Sequence, residues 1–161
     1  MVRSVNETDI LSVCDIYNFY IKNSTATFEE DEVSREEIER RINEVTAKYP
    51  WIVFEENEKI IGYAYVTKWK DRSSYRYSAE STVYVHKDNF GKGVGRRLMS
   101  RLIEEASERG LHNLIAGIAL PNDASVALHE KIGFVKCGLF KEVGFKFGKW
   151  INVGYWELPI Q

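Results

Sequence analysis

A chain of 161 residues is about the size of one domain and can bury a core without disulfide or metal staples. Its 44% apolar and 29% charged content is ordinary for a soluble globular protein, and a formal net charge of −2 leaves no electrostatic footprint for nucleic acid or an anionic membrane. Cys14 and Cys137 lie far apart, with no CxxC and no histidines at metal-ligand spacing, so each reads as a buried free thiol, suited to a reducing compartment, and no metal is expected.

The start, MVRSVNETD, is polar and no signal peptide, and no apolar run approaches the ~18 residues of a membrane span; the cytoplasm is the expected compartment. Thr8 can cap a first helix whose apolar stripe is Ile10, Leu11, Cys14, Tyr17 and Ile21. Residues 23–28 break it. Ser34 with Glu37 forms a capping box for a second helix, with Ile38, Ile42 and Val45 on one face and Pro50 signalling its end. Trp51 to Glu55 and Ile60 to Thr67 read as two strands of a hairpin around Glu56-Asn57-Glu58-Lys59. Lys68 to Tyr77 is a polar, aromatic-rich loop. Thr82 to Val85 is a strand, Gly91 to Gly95 a glycine turn, and Val94, Leu98, Leu102 and Ala106 mark a long helix that Gly110 stops. Leu114 to Leu120 reads as a buried strand, parallel to the central one because a helix links the two. A short helix from Asn122 to Ile132 is closed by Gly133. Val135 to Phe140 and Lys149 to Leu158 are the last strands, with GFKFGKW turning between them. No repeat or linker divides the chain. Residues 1–161 are therefore expected to be one domain of mixed α/β (α+β) class.

The strand, glycine turn and helix from Ala79 to Ala106 organise the rest. Such a turn bares backbone N–H groups at the positive end of a helix, a ready site for phosphate or pyrophosphate. A P-loop is excluded because no lysine-serine or lysine-threonine follows the glycines, and GKGVGR puts the third glycine of a dinucleotide fingerprint one position early. The remaining pattern is [QR]xxGx[GA], met here as Phe90-Gly91-Lys92-Gly93-Val94-Gly95 with Phe90 departing from glutamine or arginine. Taken alone, the same glycines also suit a turn that merely needs tightening.

That last pattern belongs to the GNAT acetyltransferases, which the chain resembles over nearly its whole length. Within them it is similar to the phosphinothricin and methionine sulfoximine N-acetyltransferases, through VCDIYNFYIKNSTATF, KYPWIVFEE, WKDRSSYRYSAESTVYV, LPNDASVALHEKIGF and GFKFGKWINVGYWE. The resemblance implies a mixed central sheet flanked by helices, with a splayed central strand pair, and acetyl-CoA as co-substrate. It places the pyrophosphate on Gly91, Lys92, Gly93, Val94, Gly95 and Arg96. It pairs the pantetheine arm with Val83, Tyr84 and Val85, and adds Asn122 and Ser125 as cofactor contacts. An ammonium cannot attack a thioester until it loses a proton, and Glu80 falls at the family's catalytic glutamate; without the resemblance it reads as a solvated strand-edge residue. By alternation Glu80, Thr82 and Tyr84 share one face. His129 stands where the branch has a histidine, as acid or substrate contact. Lys70, Arg72 and Tyr75 match the substrate loop, and Phe28 and Tyr84 the pocket lining; basic loop residues are otherwise ordinary surface charge.

The implied partners are acetyl-CoA, a small amino-acid-like substrate and a second copy of the chain meeting around Lys149 to Trp156. Direct attack in a ternary complex is expected, because no cysteine stands where an acetyl carrier would. Two other readings remain open: acetylation of another amine, such as a polyamine or a protein N-terminus, and an acyl-CoA-binding sensor without turnover. The small net charge and the cationic substrate loop disfavour cationic polyamines.

Overall fold

The alternating and fourfold apolar patterns become seven strands and four α-helices in a computed structural model that describes residues 1–161. In chain order these are β1 (Val2–Ser4), α1 (Ile10–Asn23), α2 (Arg35–Thr46), β2 (Trp51–Glu56), β3 (Lys59–Lys68), β4 (Ser78–Val85), α3 (Val94–Glu108), β5 (Asn113–Leu120), α4 (Asp123–Lys131), β6 (Val135–Lys146) and β7 (Lys149–Pro159). The strands make one sheet in the order β1-β2-β3-β4-β5-β7-β6. Only β4 and β5 run parallel, joined through α3; every other neighbouring pair is antiparallel. This is the mixed, helix-flanked sheet that the sequence implied.

Alternation along the strands builds a core on each face. Ile52 and Phe54 of β2 pack with Leu98, Met99 and Leu102 of α3, whereas Trp51 and Val53 pack with α1 and α2 through Val13, Ile21, Ile38 and Ile42. The expected strand pairing that matters most is also interrupted. β4 and β5 share only the rungs Ser78↔Asn113, Ala79↔Leu114 and Glu80↔Ile115. Beyond them Ser81 reaches Ile115 through its side chain, Oγ to carbonyl at 3.4 Å, and the two strands diverge.

Local chemistry moved several boundaries. The Asn6 side chain, not Thr8, caps the N-terminal turn: it accepts from the Thr8 N–H at 2.9 Å, while the Asp9 carboxylate accepts from the Asn6 N–H at 2.9 Å and binds Arg3 at 2.7 Å. Leu11 faces solvent rather than joining the stripe, and of the two free thiols Cys14 is buried while Cys137, on the edge strand β6, is exposed. Ser34 caps the Glu37 N–H at 3.1 Å, but the Glu37 carboxylate binds Arg40 and Arg41 instead of completing the box. The short strand β1 carries too few residues to show a period. Strand β6 continues through Gly144-Phe145-Lys146 past an irregularity between Phe140 and Gly144, so the turn shrinks to Phe147-Gly148, both left-handed at φ +53 and +72.

Candidate active site

Where β4 and β5 part, a cavity of about 770 Å³ opens between their backbones. Ser81 to Val85 form one wall, Ala116 to Ala119 the other, the glycine turn closes one end, and Asn122, Ser125 and His129 of α4 lie alongside. Ser24 to Thr27, following α1, line the cavity as well. The His86 N–H bonds the Ile61 carbonyl at 2.8 Å, which turns the even-numbered residues of β4 toward β3. Val83 and Val85 therefore direct their backbone N–H and C=O into the gap. Tyr84 does not: its backbone faces β3, which sets it apart from the two valines with which the sequence had grouped it.

The three glycines of the turn serve two different purposes. Gly91 and Gly93 are left-handed, at φ +74 and +79, and a Cβ at either would meet nothing within 4 Å. Backbone conformation requires them, and the space above them stays open. Gly95 sits inside α3, where a Cβ would lie 3.1 Å from Leu128 Cδ2; it lets α4 approach. The first α-helical bond of α3 runs from the Arg97 N–H to the Gly93 carbonyl at 3.2 Å. The N–H groups of Val94, Gly95 and Arg96 precede it and have no carbonyl partner in their own helix. The Val94 side chain is core. Lys92 and Arg96, with Arg97 and Arg101, border an adjoining cavity of about 490 Å³ that also meets Glu104. Arg97 adds to the positive face beyond the residues singled out from the sequence, while Arg101 is paired with Glu104 and Glu105; the signal was the i, i+4 spacing of Lys92 with Arg96 and of Arg97 with Arg101. A bare N–H turn beside such a face fits a polyphosphate, and the opened β4 edge fits an extended amide chain.

Glu80 occupies the last rung that β4 shares with β5. Burial raises its pKa above the ordinary carboxylate value, with Lys70 pulling in the opposite direction. Gly117 leaves it room: a Cβ there would lie 3.2 Å from the Tyr155 ring and 3.5 Å from Glu80 Oε1. A carboxylate so placed can take a proton from a group in the cavity.

His129 is 3% exposed, and its Nδ1 lies 2.7 Å from the Ser125 carbonyl oxygen. A carbonyl only accepts, so Nδ1 carries the proton and Nε2 is bare. Burial lowers the pKa of the ring, which is therefore neutral near pH 7 and accepts a proton before it can give one. Asn122 is the cap of α4, its Oδ1 accepting from the Ser125 N–H at 3.2 Å.

The remaining substrate-side residues are more scattered. Lys70, Arg72 and Tyr75 stand on the exposed loop between β3 and β4, with Lys70 Nζ 4.9 Å from the Trp69 ring centroid. None of the three lines the main cavity. Phe28 packs against β6, where a Cβ on Gly144 would come within 2.4 Å of its ring; Thr27 lines the cavity in its place. The Tyr84 ring joins an aromatic cluster with Tyr17, Tyr20 and Tyr63 at centroid distances of 5.4, 4.8 and 5.5 Å.

Two residues escaped sequence reasoning because their role depends on remote partners. Lys146 of β6 is 1% exposed, and its Nζ donates to the Ser24 and Thr27 carbonyls at 2.8 Å each. It thereby fixes the segment over the cavity. Tyr17 bonds both Thr27 Oγ1, at 2.9 Å, and the Glu29 carboxylate, which Arg41 grips through two nitrogens at 2.8 and 2.7 Å.

Comparison with known proteins agrees with this geometry. The model of the acetyltransferase (GNAT) domain family matches residues 2–153. The L-methionine sulfoximine/L-methionine sulfone acetyltransferase of Salmonella typhimurium is 35% identical over 163 residues, covering 99% of this chain and 94% of the relative. A GNAT superfamily phosphinothricin acetyltransferase from Sinorhizobium meliloti, solved in complex with acetyl-CoA, superimposes with a TM-score of 0.96 at 34% identity, over 99% of this chain and 87% of that one. A ribosomal-protein-alanine N-acetyltransferase from Brucella melitensis gives a TM-score of 0.97 at 36% identity, over 99% of each chain. The match in sequence and fold leads to one conclusion: the chain belongs to the GNAT acetyltransferases and is an N-acetyltransferase with acetyl-CoA as co-substrate.

Proposed function

We propose that the enzyme acetylates the α-amino group of a small amino acid or its analogue, of the methionine sulfoximine or phosphinothricin type, by direct attack in a ternary complex. The observation that carries this reading is Glu80, a half-buried carboxylate with a raised pKa at the point where β4 and β5 separate. Acetyl-CoA supplies the acetyl group as a thioester. The N–H groups from Gly91 to Arg96 and the side chains of Lys92 and Arg96 hold its pyrophosphate, Val83 and Val85 pair with its arm, and Asn122 and Ser125 border it.

Glu80 removes one proton from the substrate ammonium and passes it to water. The freed amine forms the new N–C bond as the C–S bond breaks. The bare Nε2 of His129 takes the second amine proton and delivers it to the leaving sulfur, so the carrier ends neutral. Lys70, Arg72 and Tyr75 attract the substrate's anionic groups, with Phe28 and Tyr84 behind the loop that covers it. Neither cysteine borders the cavity, which favours direct transfer over a covalent carrier. Residues 1–161 act as one acetyltransferase unit. The exposed Val143, Phe145 and Trp150 on β6 and β7 form the contact with a second copy.

The likeness to the Brucella protein favours one further reading, acetylation of a protein N-terminus. Thiol release from acetyl-CoA separates the two. Turnover with methionine sulfoximine and phosphinothricin, but not with an alanine-initiated peptide or a polyamine, supports the amino-acid reading. Turnover with the peptide alone overturns it. Tight acetyl-CoA binding without turnover on any amine identifies a sensor.

A further inference from the structure

The gap-facing edge of β4 is partly occupied by the protein itself. Tyr20, in the last turn of α1, donates its hydroxyl to the Val85 carbonyl at 2.7 Å, and the Val85 N–H lies 3.4 Å from the same oxygen. One phenol thus engages both backbone groups that an amide chain would need for pairing at this residue. Val83, one rung further in, has no such occupant among the side chains. The Tyr20 ring lines the cavity, tilted against Tyr84 at 4.8 Å and near Phe90 at 6.5 Å. Those neighbours reach from β4 to the residue preceding the glycine turn, so the ring sits at the end of the cavity nearest that turn.

We propose that Tyr20 is a placeholder for the cofactor arm: its hydroxyl fills the Val85 rung of β4 and must leave that rung for the arm to pair there. The two states exclude each other because one N–H and one C=O cannot serve the phenol and an amide of the arm at once. Pairing along β4 is then an exchange. Tyr20 gives up its bond to the Val85 carbonyl, turns its hydroxyl toward water, and the arm takes the vacated pair. The placeholder keeps the open edge satisfied between turnovers, when an unpaired strand edge would otherwise attract another chain. It also weakens cofactor affinity by the net worth of the bonds it gives up, which favours release of coenzyme A after transfer.

This inference rests on the assignment of Val83 and Val85 as the pairing edge, and the experiment separates the two. Coenzyme A binding is measured by calorimetry for wild type and Tyr20→Phe, and amide hydrogen exchange at Val83 and Val85 is followed with and without coenzyme A. The variant is expected to bind coenzyme A about 2- to 10-fold more tightly, the equivalent of one lost net hydrogen bond. Its Val85 amide exchanges faster than wild type when free, and coenzyme A slows Val83 and Val85 in both proteins. Equal or weaker binding by Tyr20→Phe overturns the placeholder. Protection of Val83 without Val85 in wild type also overturns it, since the phenol then keeps its rung while the edge assignment stands. Protection of neither valine removes the edge assignment and the placeholder together. The wild-type exchange data decide these last outcomes without any variant.

Discussion

Glu80, the proposed base, works against the fold that holds it. Burial favours its protonated form, so the ionised carboxylate needed to accept a proton is held at a cost to stability. The sign follows from linkage. With the folded pKa above the unfolded one, the native state binds more protons than the unfolded chain, and stability falls as pH rises from the ordinary carboxylate range through the raised value. Glu80→Gln removes this penalty. The variant is expected to melt above wild type at neutral pH, and the difference should disappear in acid below the ordinary carboxylate pKa. Thermal unfolding across that range checks it. His129 carries the same logic with opposite charge: burial keeps the ring neutral, and the Ser125 carbonyl decides which nitrogen is bare. Residue type was legible for both positions, but the environment that sets their protonation was not. Sequence alternation placed Glu80 on a face and could not say how much water reaches it.

Elements whose patterns are local were read well. The fourfold spacing in α3, the left-handed Gly110 and Gly133 after α3 and α4, and the parallel β4–β5 pair all follow from neighbouring residues or from the length of one connection. Elements that depend on distant partners were not. Strand β1 exists because Val2, Arg3 and Ser4 find Phe54, Val53 and Ile52, and nothing in three residues announces that. Gly144 looked like turn chemistry, yet it lies in β6 because the Phe28 ring leaves no room for a side chain there. Lys146 fell in the segment read as a turn, and it is a buried tether for Ser24 and Thr27, 122 and 119 residues away. Its pKa is lowered by burial and supported by Glu30 and Glu29. Lys146→Met keeps the apolar stem and deletes both bonds. It should loosen the segment over the cavity, raising KM for the amine several-fold with a smaller loss in kcat, and speed amide exchange from Thr25 to Thr27. An unchanged KM with unchanged exchange would show that the tether does not shape the site.

At the scale of the whole molecule, the sheet is covered by helices on both faces at its β2–β4 half, while its far edge is bare. Strand β6 is an edge strand with Phe140, Val143 and Phe145 exposed, and Trp150 of β7 is 66% exposed beside Phe145, ring centroids 4.8 Å apart. Apolar surface of this kind on an unprotected edge calls for a partner. If that partner is a second copy, sedimentation should give twice the mass of the chain, and Phe145→Glu with Trp150→Lys should shift the protein to monomer while leaving its secondary structure intact. A monomeric wild type at micromolar concentration would contradict the dimer. Sequence patterning marked these aromatics without distinguishing core from interface, because period-two alternation is the same for a strand facing its own protein and one facing another.

The proposed reaction turns on Glu80 deprotonating the amine that attacks acetyl-CoA. Its most direct test is the rate of coenzyme A release, as kcat/KM for the amine, in wild type and Glu80→Gln across a range of pH. The ratio of the two rates cancels the titration of the substrate itself. At neutral pH the variant should be slower by about 100-fold or more. The ratio should shrink as pH falls through the raised pKa of Glu80, where the wild-type carboxylate is also protonated. A ratio near one at neutral pH, or one that does not change with pH, would contradict Glu80 as the base.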